Sequence, residues 1–207
     1  MKKYTNLEIE LIACSNMGGG DQGFYSINKT SFLHPEDSFP SKFWGISGGI
    51  EIVVDGYFSI YRSTQYYLLV SVADFLLTTL YNLKPVVLDT EKAFFNAYPQ
   101  DIIDLESVDV YKSILRFEKN DNSSIKLSRF PSMPTIKEMS RYPKFFDNVI
   151  IDSDVWAREC AFALDDYFNY FDKTVLGFFA KQEQTDAEEI DLMKRYVEMW
   201  YIIKKQL

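Results

Sequence analysis

Near the start of the chain, apolar Leu7, Ile9 and Leu11 alternate with Glu8 and Glu10. A period of two places successive side chains on opposite faces, so residues 6–14 are expected to form a strand with one buried face. The segment that follows, through Gly18-Gly19-Gly20-Asp21-Gln22-Gly23 to about Phe43, is dense in Gly, Asp, Asn, Ser and Pro. That composition predicts a long connection holding at most one short strand around Phe24–Ile27. The sharpest local signal lies in GGIEIVVDGYFSIYR, where two β-rich runs flank Asp55-Gly56. Asp-Gly supplies the positive φ angles of a tight hairpin turn, which predicts strands at 49–54 and 57–61.

The period then changes to that of a helix. Leu69, Val72, Leu76 and Leu80 recur at helical spacing, with Tyr67, Ser71, Asp74 and Thr78 as a polar stripe. Ser63 or Thr64 can cap this helix, and Pro85 ends it. Val86–Leu88 is expected as a short strand, and Asp89–Tyr98 as a short helical or turn segment anchored by Phe94 and Phe95. A second hairpin is predicted between Val108–Glu118 and Ser124–Phe130, joined by Asn120-Asp121-Asn122-Ser123. Phe145–Ile151 is again β-rich. Asp152 or Ser153 then caps a helix to about Lys173 on which Trp156, Cys160, Ala163, Tyr167 and Tyr170 share a face. Gly177 is expected to mark a break. Thr185-x-x-Glu188 has the form of a capping box, and an acidic first turn and Lys204-Lys205 near the end suit a last helix over 186–204.

Strands that pair through hairpins, with helices grouped apart, define an α+β domain: a mostly antiparallel sheet packed by one central helix and two C-terminal helices. No repeat or linker divides the chain, so residues 1–207 are expected to form one domain. The sequence is 47% apolar and 16% aromatic, enough to supply a core throughout. The net charge of −8, from 30 acidic and 22 basic residues, disfavours nucleic acid and favours a basic protein partner. The longest apolar stretch, Tyr66–Leu83, is interrupted by Ser71, Asp74, Thr78, Thr79 and Asn82. It is expected to be a core helix and not a membrane span. Glu8 and Glu10 break what would be the apolar region of a signal peptide, and the two cysteines, Cys14 and Cys160, suit a reducing compartment. A cytoplasmic protein is expected.

Candidate chemistry is sparse. His34 is the single histidine and precedes Pro35 in a polar stretch, so neither a histidine-based triad nor a clustered zinc site is expected. The glycines at 18–20 lack the Gly-Lys-Ser/Thr of a phosphate loop. Asp152 and Asp154 stand where helix caps favour acids, and Asp165, Asn169 and Asp172 fall on one helical stripe. Asp74 differs because it interrupts an apolar helix, where an acid must find a hydrogen-bond partner; Ser71, Thr78 or a backbone donor are the local options. No catalytic residue, metal ligand or cofactor is assigned. The residues expected to meet a partner are Asp21, Gln22, Asp55, Asp165, Asn169 and Asp172.

Four features together are similar to small bacterial immunity proteins of polymorphic-toxin systems, at the level of architecture over residues 45–173. They are the hairpin carrying Gly48, Gly49, Glu51, Val54, Asp55 and Gly56, the Leu68–Leu76 helix, the polar-tipped second hairpin, and the helix with Asp152, Trp156, Arg158 and Glu159. The resemblance implies a cytoplasmic protein that neutralises a cognate toxin by binding it, and it transfers no functional residue. The alternatives are a structural or oligomer-forming subunit, as monomer or homodimer, and a carboxylate-dependent hydrolase. The C-terminal helix bears on the first of these. Ile190, Met193, Val197, Met199, Trp200, Tyr201, Ile202 and Ile203 make it apolar nearly all round, so it must be covered by its own chain or by a second copy.

Overall fold

The computed structural model of the chain describes residues 3–16, 22–27, 45–55, 57–58, 67–89, 93–106, 114–121, 123–130, 148–183 and 185–207; for 14–16, 22–25, 57, 58 and 67 it describes the backbone alone. Asp21, His34, the candidate caps Ser63 and Thr64, and the first part of the predicted strand at 108–118 lie outside the described residues.

The fold is α+β, as the periodicities predict, and its strands form two sheets. The first has the order β1-β10-β9-β8-β7, from Lys3–Tyr4, Asn148–Asp152, Ser124–Phe130, Ile114–Lys119 and Ile102–Glu106. Every pairing in it is antiparallel except that of β1 with β10. The second has the order β3-β2-β4-β5, from Gln22–Ser26, Leu7–Asn16, Ser47–Val54 and Tyr57–Phe58, and the two-residue β6 (Tyr67–Leu68) also pairs with β4. The chain passes from one sheet to the other between Tyr4 and Leu7. Lys3 fixes that passage, forming an ion pair with Asp152 at 2.8 Å and donating to the Ser123 carbonyl at 2.8 Å.

The β4–β5 hairpin turns at Asp55, whose φ of 47° is the left-handed conformation that the Asp-Gly pair foretold. Helix α1 (Leu69–Leu83) starts later than Ser63 or Thr64 would place it. Its N-cap is Leu68, which has no side-chain cap, because the chain is still pairing with β4 at Tyr67–Leu68. The Leu69 N–H donates to the Ile46 carbonyl at 2.9 Å. Val86–Leu88 is not a strand; Gln206 instead holds Val87 with its side-chain amide, which accepts from the Val87 N–H at 2.8 Å and donates to its carbonyl at 3.0 Å.

Asp152 caps α2 (Ser153–Tyr170), accepting from the amides of Asp154 and Val155 at 2.9 and 3.3 Å. Gly177 does not break the chain's helical course. The helix runs on through a π-helical stretch (Phe171–Leu176) into α3 (Gly177–Phe179), and Gly177 keeps helical angles. The last helix, α4 (Ala187–Lys204), is capped by Asp186, one residue beyond Thr185, through a bond from the Glu188 N–H at 3.0 Å.

The helices bind the sheets together. Helices α1 and α2 pack on each other, α1 reaching β4 and β7, and α2 reaching β2, β9 and β10. One side-chain network marks their seam: Trp156 Nε1 donates to Thr79 Oγ1 at 3.2 Å, and Thr79 Oγ1 donates to the Leu76 carbonyl at 3.0 Å. Cys160 is buried as a free thiol 3.9 Å from the same hydroxyl, and burial pushes its pKa well up. Helix α4 covers α2 and the π-helical stretch; Trp200 is fully buried and stacks on Phe168 with centroids 5.5 Å apart. The apolar last helix is therefore covered within its own chain over Met193, Tyr196, Val197, Met199, Trp200 and Ile203, while Tyr201 and Ile202 stay exposed. The buried apolar residues of both sheets and all these helices form one cluster. Among the described residues, no helix is long and apolar enough to cross a membrane.

Candidate functional site

A cleft of about 770 Å³ opens between α1 and β7. One wall is the face of α1 carrying Ser71, Asp74, Phe75 and Thr78, at the i, i+3, i+4, i+7 spacing of a single helix face. The opposite wall is the run Ile103–Glu106 of β7, and residues 93–96 with Gln100 close one end. That end is held by Asn82, whose side-chain amide donates to the Gln100 carbonyl and accepts from the Gln100 N–H at 3.2 Å. The Phe94 N–H donates to Met199 Sδ at 3.4 Å, which docks the same segment on α4.

Asp74 is the unusual group in this cleft. Its partner is neither Ser71 nor the Thr78 side chain: Tyr196 on α4 donates its hydroxyl to Asp74 Oδ1 at 3.2 Å. The Thr78 hydroxyl donates to the Asp74 main-chain carbonyl at 2.7 Å and leaves the carboxyl untouched. Behind Tyr196 stands Tyr167 of α2, hydrogen-bonded to it, with the rings edge to face at 6.2 Å. Both phenols are fully buried, and desolvation drives their pKa values upward, so they act as neutral donors. Desolvation also raises the Asp74 carboxyl, to about 7, against the smaller lowering effect of the Tyr196 bond.

Two further acids, Asp104 and Glu106, line the cleft from β7, and among the described residues no Lys or Arg lines it. Asp104 is already neutralised, since Arg116 on the neighbouring strand donates to its two oxygens from Nε and Nη2, both at 2.8 Å. This pair follows from register, Asp104 standing directly opposite Arg116. Asp74 and Glu106 have no basic partner among the described residues. The three carboxylates thus line one cleft but do not converge on one point. Among the described residues, no group of three or more His, Cys, Asp or Glu is placed to hold a metal ion.

Of the surface residues expected to meet a partner, Asp21 lies outside the described residues and Gln22 is described by its backbone alone. Asp55 is exposed at the tip of the β4–β5 hairpin, and Gln22 begins β3. Asp165 is engaged within the fold, receiving Lys204 Nζ at 2.6 and 2.7 Å and Trp200 Nε1 at 3.3 Å. Asn169 and Asp172 are half-buried further along the same helical course. Of the cleft residues, sequence reasoning singled out Asp74, because it interrupts an apolar stripe. Tyr196, Asp104, Glu106 and Gln100 carried no such signal: Asp104 and Glu106 alternate with Ile103 and Leu105 as on any half-exposed strand.

Comparison of the chain with protein-family models, curated proteins and solved structures finds no match.

Proposed function

We propose that the chain is a non-catalytic protein-binding domain that recognises a basic partner, as a cytoplasmic immunity protein does when it neutralises a toxin by binding it. The observation that carries this reading is the cleft between α1 and β7, whose described lining includes Asp74, Asp104 and Glu106 and no basic side chain. A cleft lined by acids attracts a lysine or arginine side chain, and the net charge of −8 gives the long-range field the same sign. Aliphatic and aromatic surface stands beside it, with Tyr98 66% and Ile102 47% exposed. Acid together with exposed apolar surface is the combination that interface anchors use.

The test is co-purification from the source cells at low salt, using the wild-type chain and the double variant Asp74→Asn/Glu106→Gln. The reading expects a basic protein that is retained by the wild type, lost at high salt, and depleted by the variant. Equal retention by both chains would refute it.

A second reading has one observation in its favour. A half-buried acid with a pKa raised to about 7 in an open cleft is what general acid–base chemistry requires of one of its groups. Neither Asp104, bound to Arg116, nor Tyr196, which donates its proton to Asp74, is free to act as the second group.

A further inference from the structure

Strand β7 is the last strand of its sheet, and among the described residues no strand pairs with its outer side. The ladder shows which of its main-chain groups face that side. The Lys119 N–H donates to the Asp101 carbonyl at 3.0 Å, so Asp101 and Lys119 form a hydrogen-bonded pair. In an antiparallel ladder, bonded and non-bonded pairs alternate. With the register Ile102↔Glu118 to Glu106↔Ile114, Ile103 and Leu105 turn their amides and carbonyls toward β8. Ile102, Asp104 and Glu106 turn theirs outward, on the strand whose residues 103–106 line the cleft.

We infer that the partner is captured by strand addition: an extended basic segment pairs with the outer edge of β7 and places an inward-facing lysine or arginine in the cleft against Asp74. This rests on the protein-binding reading and gives its mode. Three observations support it independently. An open strand edge is a template for an added strand, which bonds to the main chain whatever its sequence. Side chains of an added strand alternate between faces as those of β7 do, and the inner face, where Ile103 and Leu105 are buried, is the one that looks onto α1. Charge selects the occupant, since Asp74 presents an acid to this cleft, and among the described residues no cation lines it and Asp74 has no basic partner. Asp74 is also set for the purpose. Tyr196 occupies Oδ1 alone, which leaves Oδ2 to receive a cationic donor.

The probe is an end-blocked octapeptide of alternating lysine and valine, with an alternating glutamate and valine peptide as control. A one-residue slip puts the lysines on either face, so the probe need not match an unknown register. The lysine peptide is expected to bind and the glutamate peptide not to. Binding should slow amide exchange at Ile102, Asp104 and Glu106, and Asp74→Asn should weaken it about tenfold. Ile102→Pro removes an outward N–H at a position where an edge strand tolerates proline; it should weaken binding about tenfold, while Ile102→Ala should not. If Ile102→Pro does not fold, the exchange pattern of the wild type decides alone. Loss with Asp74→Asn but unchanged exchange at the three edge amides would overturn strand addition and leave the acidic-cleft reading standing. Failure of the lysine peptide to bind overturns the inference, and equal binding of both peptides overturns the cleft reading with it.

Discussion

Substituting Asp74 by Asn tests the electrostatics of the cleft through stability, with no need for a partner. In the folded chain the carboxyl has a pKa raised from 3.8 to about 7, chiefly because α1 and α4 shield it from water. Its described neighbours are the neutral Tyr196 and Tyr167 from α4 and α2, and Asp104 and Glu106 line the same cleft from β7; none of these is a cation. A pKa raised on folding means that the native state holds its proton more tightly than the unfolded state. Stability is therefore greatest below the unfolded value and falls as pH rises through about 7, after which it levels off. A tenfold change in proton affinity is worth about 1.36 kcal/mol, so the full difference is about 4 kcal/mol as a ceiling, of which about 2.6 kcal/mol falls between pH 5 and pH 8. Asn keeps an oxygen that can accept from Tyr196 and carries no charge. Relative to the wild type, Asp74→Asn should therefore gain about 2–3 kcal/mol of stability between pH 5 and pH 8. Urea unfolding of both chains at closely spaced pH values measures this directly, the ordinary carboxylates cancelling in the difference. A difference that is flat across this range, or one that shifts in favour of the wild type as pH rises, would refute the account of a desolvated acid.

Three other substitutions and one treatment probe the frame. Trp200→Asp buries a charge where Trp200 stacks on Phe168; truncation alone costs about 3–5 kcal/mol, and the charge adds to it. The monomer should lose its far-ultraviolet helix signal, whereas a folded mutant released from a dimer would make α4 an interface. Asp152→Ala removes the α2 cap and the Lys3 ion pair together, and should cost about 1–2 kcal/mol by urea unfolding at neutral pH. The Lys3 bond holds the Asp152 carboxyl below its ordinary range, so that cost should persist above the ordinary carboxylate pKa and fade as pH falls through the depressed one. Gly48→Ala brings a methyl to 2.6 Å from the Ile12 carbonyl and 2.8 Å from Leu69 Cδ1; a loss of about 1–3 kcal/mol is expected, and an unchanged midpoint would mean that α1 can shift off β4. Chelator and reductant should each leave the thermal midpoint unchanged, since Cys160 is a free buried thiol packed on Thr79; a fall of several degrees with either would contradict this.

What could be read from the chain alone is what neighbours in sequence decide. The alternation at Leu7, Ile9 and Leu11, the Asp55-Gly56 turn, the Asp152 cap and the acidic entry to the last helix all rest on interactions within a few residues, and each lies in the structure at or next to the place expected. Helix α1 departed from expectation because a distant pairing overrides a local cap: Tyr67 and Leu68 are held by Ser47 and Gly48, so the helix cannot begin earlier. Gly177 shows the reverse, since a glycine can end a helix but need not where the surrounding helix continues to pack. The pairing of β1 with β10 brings Lys3 to Asp152, and the donor to Asp74 is Tyr196, 122 residues away. Periodicity marks which side of an element is buried but does not name what buries it. That an acid in an apolar helix needed a donor was evident from Asp74 in the sequence; that the donor is a buried phenol, and that the acid shares a cleft with β7, only the tertiary packing of α1, α4 and β7 decided.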